Sequence, residues 1–216
     1  MARWEANARE RLGIAAMQLY GERGFHATAV ADIAERAGLT ERTFFRYFAD
    51  KREVLFEGAA DLKKFLAEAV ASAPVSMAPL DAVATALQAT SAMFEQRRDF
   101  ARERHALIAA EPELQERELI KLASLAASIA EALRHRGVTE PAASLAAEAG
   151  IAVFKVSFAG WVHDPKKRDL AHHLRASLSS LRAVAESQES PGTSSSTASP
   201  TGASRPRRPR ARRTAG

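Results

Sequence analysis

The chain of 216 residues has no cysteine. That excludes a disulfide scaffold, cysteine-ligated zinc and thiol catalysis, and it fits a reducing, cytoplasmic compartment. Nucleotide-binding and hydrolytic signatures are also missing: no H-E-x-x-H, G-x-G-x-x-G, G-x-x-x-x-G-K or G-x-S-x-G occurs. His172 and His173 are adjacent, so on a helix they point apart and make a poor metal pair. No metal, no cofactor and no enzymatic residue set is expected. The longest apolar stretch, residues 145–162, carries Glu148 and Lys155, which argues against a membrane span. The opening MARWEANARERLG is charged and has no apolar run, so no secretion signal is expected.

Residues 187–216 lack any aliphatic side chain larger than alanine, proline apart. Nothing there can offset the entropy of ordering, and a disordered Ser/Pro/Arg-rich tail is expected. The tail also holds six arginines against one acid, which accounts for the whole net charge of +5. Residues 1–186 balance at twenty-five basic and twenty-five acidic groups. Any nucleic-acid reading must therefore rest on where charges sit, not on their total. As a flexible arm the arginines would touch phosphates without reading sequence; as a plain solvated terminus they would be dispensable.

What is present is helix. Leu12, Ala15, Ala16, Leu19 and Tyr20 share one face, closed by Gly21 and Gly24. Thr28 suits an N-cap, and Val30, Ile33, Ala34 and Ala37 follow at i, i+3, i+4, i+7. Gly38-Leu39 predicts a tight corner before a short helix over 41–48, capped by Thr40. Asp50 with Glu53 predicts a capping box opening a fourth helix to about residue 70. Pro79, Pro112 and Pro141 each suit the first turn of a further helix. Asp164-Pro165 predicts the start of the last, ending near residue 185. With another over 100–109 the total is about nine helices and no convincing strand, an all-α fold.

Residues 25–51, FHATAVADIAERAGLTERTFFRYFADK, predict two short helices joined by a glycine-containing turn. That is a helix-turn-helix, whose second helix enters the DNA major groove. Leu39 and Phe44 would lock the pair, leaving Thr40, Arg42, Thr43, Phe45, Arg46 and Tyr47 around the remaining surface. Arg42 reaches far enough to bond guanine O6 and N7, and Phe45 suits a thymine methyl. Thr43 and Tyr47 offer hydroxyls to phosphates, Thr28 and Thr40 sit at helix N-termini, and Lys51 adds charge on a helix end. The plain alternative is a solvated charged face on a three-helix core.

This segment resembles the tetracycline-repressor (TetR) family of bacterial regulators across about residues 9–55. The matching positions are Ala15-Ala16, Leu19-Tyr20, Gly24-Phe25, Thr28, Val30, Ile33-Ala34, Ala37-Gly38-Leu39-Thr40, Thr43, Phe45, Tyr47-Phe48 and Lys51. Ala29 stands where the family often has Ser or Thr, and Arg42 where it often has a small residue. RTFFRYF and the later RERHALIAAEPELQEREL resemble an actinobacterial subgroup that includes mycofactocin-cluster regulators, whose relatives suggest acyl-CoA-type effectors. The resemblance implies a homodimeric repressor, less often an activator, with a larger helical domain that binds a small molecule.

In that larger domain Ala146, Gly150, Val153, Ser157 and Gly160 repeat at 4-3-4-3 spacing, and Leu170, Leu174, Leu178 and Leu181 stripe the last helix. The resemblance places both helices in a four-helix dimer interface; an ordinary intramolecular core fits the same pattern. Pocket candidates are Met93, Phe94, Phe100, His105, Ile108, Leu125, Phe154, Phe158 and Trp161, each of which would serve equally as plain core. Arg102 and Arg104 could meet a phosphate or carboxylate, but at i, i+2 they lie on different faces of a helix, which weakens any joint site.

The reading is a helix-turn-helix domain over 1–48, a ligand-binding and dimerisation domain over 49–186, and the tail. The expected partners are a double-stranded palindromic operator, a small apolar or amphipathic effector and a second copy of the chain, with no membrane. The chief rival is a non-specific nucleic-acid binder driven by the tail. A second is a helical enzyme or carrier with a vestigial head.

Overall fold

A computed structural model describes residues 2–186; the tail expected at 187–216 lies outside the described residues. Ten α-helices follow in order, with no strand among the described residues: α1 Ala2–Arg23, α2 Val30–Arg36, α3 Glu41–Tyr47, α4 Ala59–Ala71, α5 Pro79–Ala89, α6 Ser91–Glu95, α7 Arg98–Ala110, α8 Pro112–His135, α9 Ala142–Val162 and α10 Leu170–Glu186. The expected all-α fold of about nine helices is there, with the fifth divided at Thr90 into α5 and α6.

α1, α2 and α3 build the head. Leu12, Ala15, Ala16, Leu19 and Tyr20 are all buried against Phe25, Ile33 and Phe44. α2 ends in a Schellman motif: Leu39 N–H donates to the Ala34 carbonyl and Gly38 N–H to the Glu35 carbonyl, both at 2.8 Å. Gly38 makes this possible at φ 64°, a left-handed conformation that costs a glycine little. Thr40 then caps α3, its Oγ1 accepting from Thr43 N–H at 3.2 Å.

Two helix starts fall elsewhere than the sequence predicts. Asp50 does accept from the N–H groups of Arg52 and Glu53, at 2.8 and 3.1 Å. What it opens is a 3₁₀ turn, Glu53–Phe56, and Gly58 at φ 80° breaks the chain before α4 begins. Val54, Leu55 and Phe56 are buried in the head core, and that burial wins over a continuous helix. Likewise Asp164 accepts from Lys166 and Arg168 N–H, but α10 begins only at Leu170. The loop folds back on Asp164 instead.

The body is built around α9, which packs on α5, α8 and α10. α9 has the length and apolarity of a membrane span, yet half of it is buried inside this fold. Trp161, Leu87, Ile129, Leu133 and Leu174 are buried together in this second core. A Cβ at Gly150 would overlap Val83 Cγ1, so the glycine is what lets α9 lie close on α5. Ile108 of α7 and Leu114 of α8 belong to the head core instead, so the head is seated on the body through shared apolar contacts.

Candidate DNA-binding surface and effector cavity

On α3, Phe44 is fully buried and tilts against Phe48 at a centroid distance of 5.5 Å. The anchor turns the rest of the helix outward. Phe45 is 55% exposed, Arg42 and Arg46 are exposed, and Thr43 and Tyr47 are half-buried. Arg42 makes no hydrogen bond or ion pair with the described residues. Arg46 lies over the Tyr47 ring at 4.8 Å and donates to its hydroxyl at 2.8 Å. Thr40 Oγ1 and Thr43 Oγ1 are 3.0 Å apart, so these two hydroxyls share one corner. Six of the eight sequence-predicted DNA residues thus lie on α3 or its N-cap around the buried Phe44, four of them exposed and Thr43 and Tyr47 half-buried.

The other two do not. Thr28 is 1% exposed and its hydroxyl donates to the Gly24 carbonyl at 2.9 Å; Ala29, not Thr28, is the N-cap of α2. Burial removes it from any phosphate. Lys51 Nζ donates to the carbonyls of Phe25 (2.9 Å) and Thr28 (3.0 Å), with His26 O at 3.4 Å, and sits 4.4 Å from the Phe25 ring centroid. Its charge is spent on holding the α1–α2 loop. The Tyr20 hydroxyl completes this corner by donating to the Lys51 carbonyl at 2.7 Å. Burial, and secondarily the Asp50 charge, pushes that phenol well above its ordinary range.

Behind the head a cavity of about 580 Å³ opens between the 53–58 connection and α4, α6, α7, α8 and α9. Phe94, Phe154 and Phe158 form its aromatic floor at mutual centroid distances of 5.6–5.9 Å. Met93, Phe100, His105 and Leu125 complete the sequence-predicted lining that the fold brings here. His105 packs edge-on to Phe158 at 5.9 Å, and burial, followed by the charges of His163 and Arg104, holds its imidazole below the usual value against the pull of Glu118. It is therefore neutral at physiological pH and offers one donor and one acceptor.

Trp161 is a correction. It is 0% exposed and stands behind the wall, against Phe158 at 5.4 Å and Phe94 at 6.4 Å. Ile108 is another, buried on the head side. Sequence reasoning missed the polar rim of Lys63, Arg97, Lys121 and Lys155 with Glu57 and Glu118. Only periodicity places such residues, and the break at Gly58 shifts the register of everything on α4. Arg104 lines the cavity while Arg102 points away to Asp99 at 3.2 Å, as their i, i+2 spacing requires. Arg104 donates to the Leu55 carbonyl at 2.5 Å, pairs with Glu118 at 3.2 Å and lies over Phe56.

The small-residue stripe needs the largest correction. Ala146, Gly150, Val153 and Ser157 on α9 and Leu170, Leu174 and Leu178 on α10 are buried within one chain, and Leu181 packs against the same core. Ser157 Oγ donates to the His173 carbonyl at 3.1 Å, tying α9 to α10. The stripe is an intramolecular seam, because α9 is apolar on two faces and this one meets α5 and α10. The other face is open, with Leu145 65% and Val156 66% exposed and Ala152 between them.

Residues 14–57 match the family model "Bacterial regulatory proteins, tetR family", and residues 77–186 match "MftR C-terminal domain". The chain belongs to the tetR family. This tetR-family chain is 33% identical over 81 residues to the HTH-type transcriptional regulator TcmR of Streptomyces glaucescens, a match covering 38% of the chain and 36% of TcmR. It thus spans about a third of that relative's length. Among solved structures it is similar to SmeT, the repressor of the Stenotrophomonas maltophilia multidrug efflux pump SmeDEF (19% identity, TM-score 0.54, covering 82% of the chain and 89% of SmeT). It is also similar to Bacillus subtilis FadR in complex with stearoyl-CoA (20% identity, TM-score 0.54, 80% and 96% covered). At such identities these structures bear on the fold alone.

Proposed function

We propose that this tetR-family chain is a cytoplasmic, homodimeric repressor that binds a palindromic operator through α3 and lets go when a small apolar or amphipathic molecule fills the cavity. The observation that carries the reading is the division of labour on α3: Phe44 is sunk in the head while Phe45, Arg42 and Arg46 project from it. A purely structural helix has no use for an exposed phenylalanine flanked by two arginines. In a major groove the phenylalanine meets a thymine methyl and Arg42, free of internal partners, bonds a guanine edge.

A second copy is needed because one seven-residue helix reads only a few base pairs. α9 leaves Leu145, Ala152 and Val156 exposed, and α10, packed against it, leaves Ala176, Ser179 and Val184 exposed. Paired across a two-fold axis, these helices would form a four-helix interface and set two α3 helices about 34–36 Å apart. The cavity supplies the second half of the reading. The SmeT–triclosan and FadR–stearoyl-CoA complexes concern ligands of those proteins; here an aromatic floor under a charged rim suits a molecule with an apolar body. Ligand that favours a different head spacing lowers operator affinity by population shift.

Selection of bound duplexes from a random pool, using the full chain, tests the proposal. An enriched inverted repeat supports it, and no enrichment removes it. The tail arginines, which hold the whole net charge, favour one rival: non-specific binding. Truncation after residue 186 separates the two, since the rival loses most affinity while operator selectivity persists on the present reading.

A further inference from the structure

Two neighbouring residues of α1 reach the cavity wall with opposite charges. Arg9 Nε is 3.3 Å from Glu57 Oε1, and Glu10 Oε1 is 3.6 Å from Arg97 Nη2. Glu57 and Arg97 both line the cavity. One turn further along α1, a Cβ at Gly13 would come within 2.9 Å of Glu57 Oε2, so α1 and this carboxylate are in direct contact. Arg9 continues the line into the head. Its guanidinium lies over the Phe48 ring at 5.6 Å, and Phe48 packs on Phe44, the side chain that seats α3. Of the other ion pairs between head and body, His26–Glu111 at 2.8 Å and Asp50–Arg117 at 3.0 Å use no residue that lines the cavity, whereas Lys121 on the rim lies 2.9 Å from Glu53 and does not touch α1.

We propose that the Arg9–Glu57 and Glu10–Arg97 pairs carry occupancy of the cavity to the recognition helix. An anionic group in the cavity competes with Glu10 for Arg97, and α1 then keeps one tie to the wall instead of two. The head is held less firmly, and an arrangement of α3 suited to the operator becomes less populated. Arg9 and Glu10 are positioning residues in this scheme, since they touch neither DNA nor ligand. The inference rests on the cavity being the effector site.

The test uses 1-anilinonaphthalene-8-sulfonate, whose rings suit the aromatic floor and whose sulfonate suits Arg97. In a Trp4→Phe background, energy transfer from Trp161, packed behind Phe158, reports dye inside the cavity. Dye should weaken binding of the selected duplex by about threefold, the scale of exposed ion pairs. By linkage, the duplex should weaken the dye by the same factor. R9Q/E10Q should bind dye alone at least as tightly as the parent does, because Glu10 no longer competes for Arg97, yet lose the mutual effect, while R9K/E10D should keep it. A merely structural role would lower thermal stability without abolishing the reciprocity. The proposal is overturned if R9Q/E10Q retains the full mutual effect, or if the parent shows none. A selection that enriches no inverted repeat instead removes the regulator reading itself.

Discussion

Lys51 Nζ and the Thr28 carbonyl lie 3.0 Å apart, and the same ammonium bonds the Phe25 carbonyl and rests on its ring. A lysine that follows the recognition helix is thereby a clasp on the loop that precedes α2. Hydrogen bonds to a charged group contribute about 1.5–3 kcal/mol each, but they share one side chain here. Lys51→Ala should cost about 2–3 kcal/mol in urea unfolding, while the slope of log affinity against log salt for duplex DNA stays unchanged. A slope reduced by about one would return Lys51 to the phosphate backbone.

Arg42 is the opposite case. It is exposed and unpaired, so its removal should leave the melting temperature alone. Arg42→Ala should instead relax preference at one base position of each half-site by about 1–3 kcal/mol. Repeating the duplex selection with the variant checks this; an unaltered consensus would show that Arg42 reads nothing.

The contrast between these residues shows what periodicity reveals. The head was legible because its burial pattern, the Gly38 corner and the Thr40 cap are all local signals, and the structure has each in place. Residue type at Thr28 and Lys51 suggested phosphates, whereas Thr28 bonds back to the Gly24 carbonyl four residues earlier and Lys51 to the Phe25 carbonyl twenty-six residues away, a partner no spacing rule encodes. The aromatic floor was legible too, since Phe94, Phe154 and Phe158 are bulky aromatic side chains on otherwise small-residue helix faces. Trp161 follows the same rule and fails it, because the turn of α9 carries it past the wall into the core. On the rim, the placing of Glu57 and Lys63 depended on the break at Gly58, which competes with a strong helical pattern and wins through burial of Val54, Leu55 and Phe56.

α9 illustrates a harder ambiguity, for it is apolar on two faces and only one is satisfied within the chain. Val156→Glu places a charge on the open face. On the proposed two-fold pairing, the parent should be a dimer and this variant a monomer in light scattering, while helix content in circular dichroism is kept. Val153→Glu, one turn round in the core, should unfold the body instead, because it buries an unpaired charge. If Val156→Glu stays dimeric at micromolar concentration, the two-fold face lies elsewhere.

The loop between α9 and α10 makes stability depend on acid. The Arg168 guanidinium, with help from the Lys166 N–H and from His173, holds the Asp164 carboxyl far below the usual carboxylate range despite its burial. A carboxylate whose pKa is lowered on folding contributes stability above its unfolded value, about 3.9, and loses it as pH falls towards the folded one. Asp164→Asn should therefore be less stable than the parent at pH 7, and the gap should close as pH falls below about 4. His105 pushes the same way at higher pH. Its lowered imidazole pKa means that folding opposes protonation, so stability should start to fall as pH drops through about 6.5. Urea midpoints at several pH values for the parent, Asp164→Asn and His105→Gln separate the two windows. A constant gap between Asp164→Asn and the parent down to pH 2 would show that the Asp164 cluster is not ionised as described.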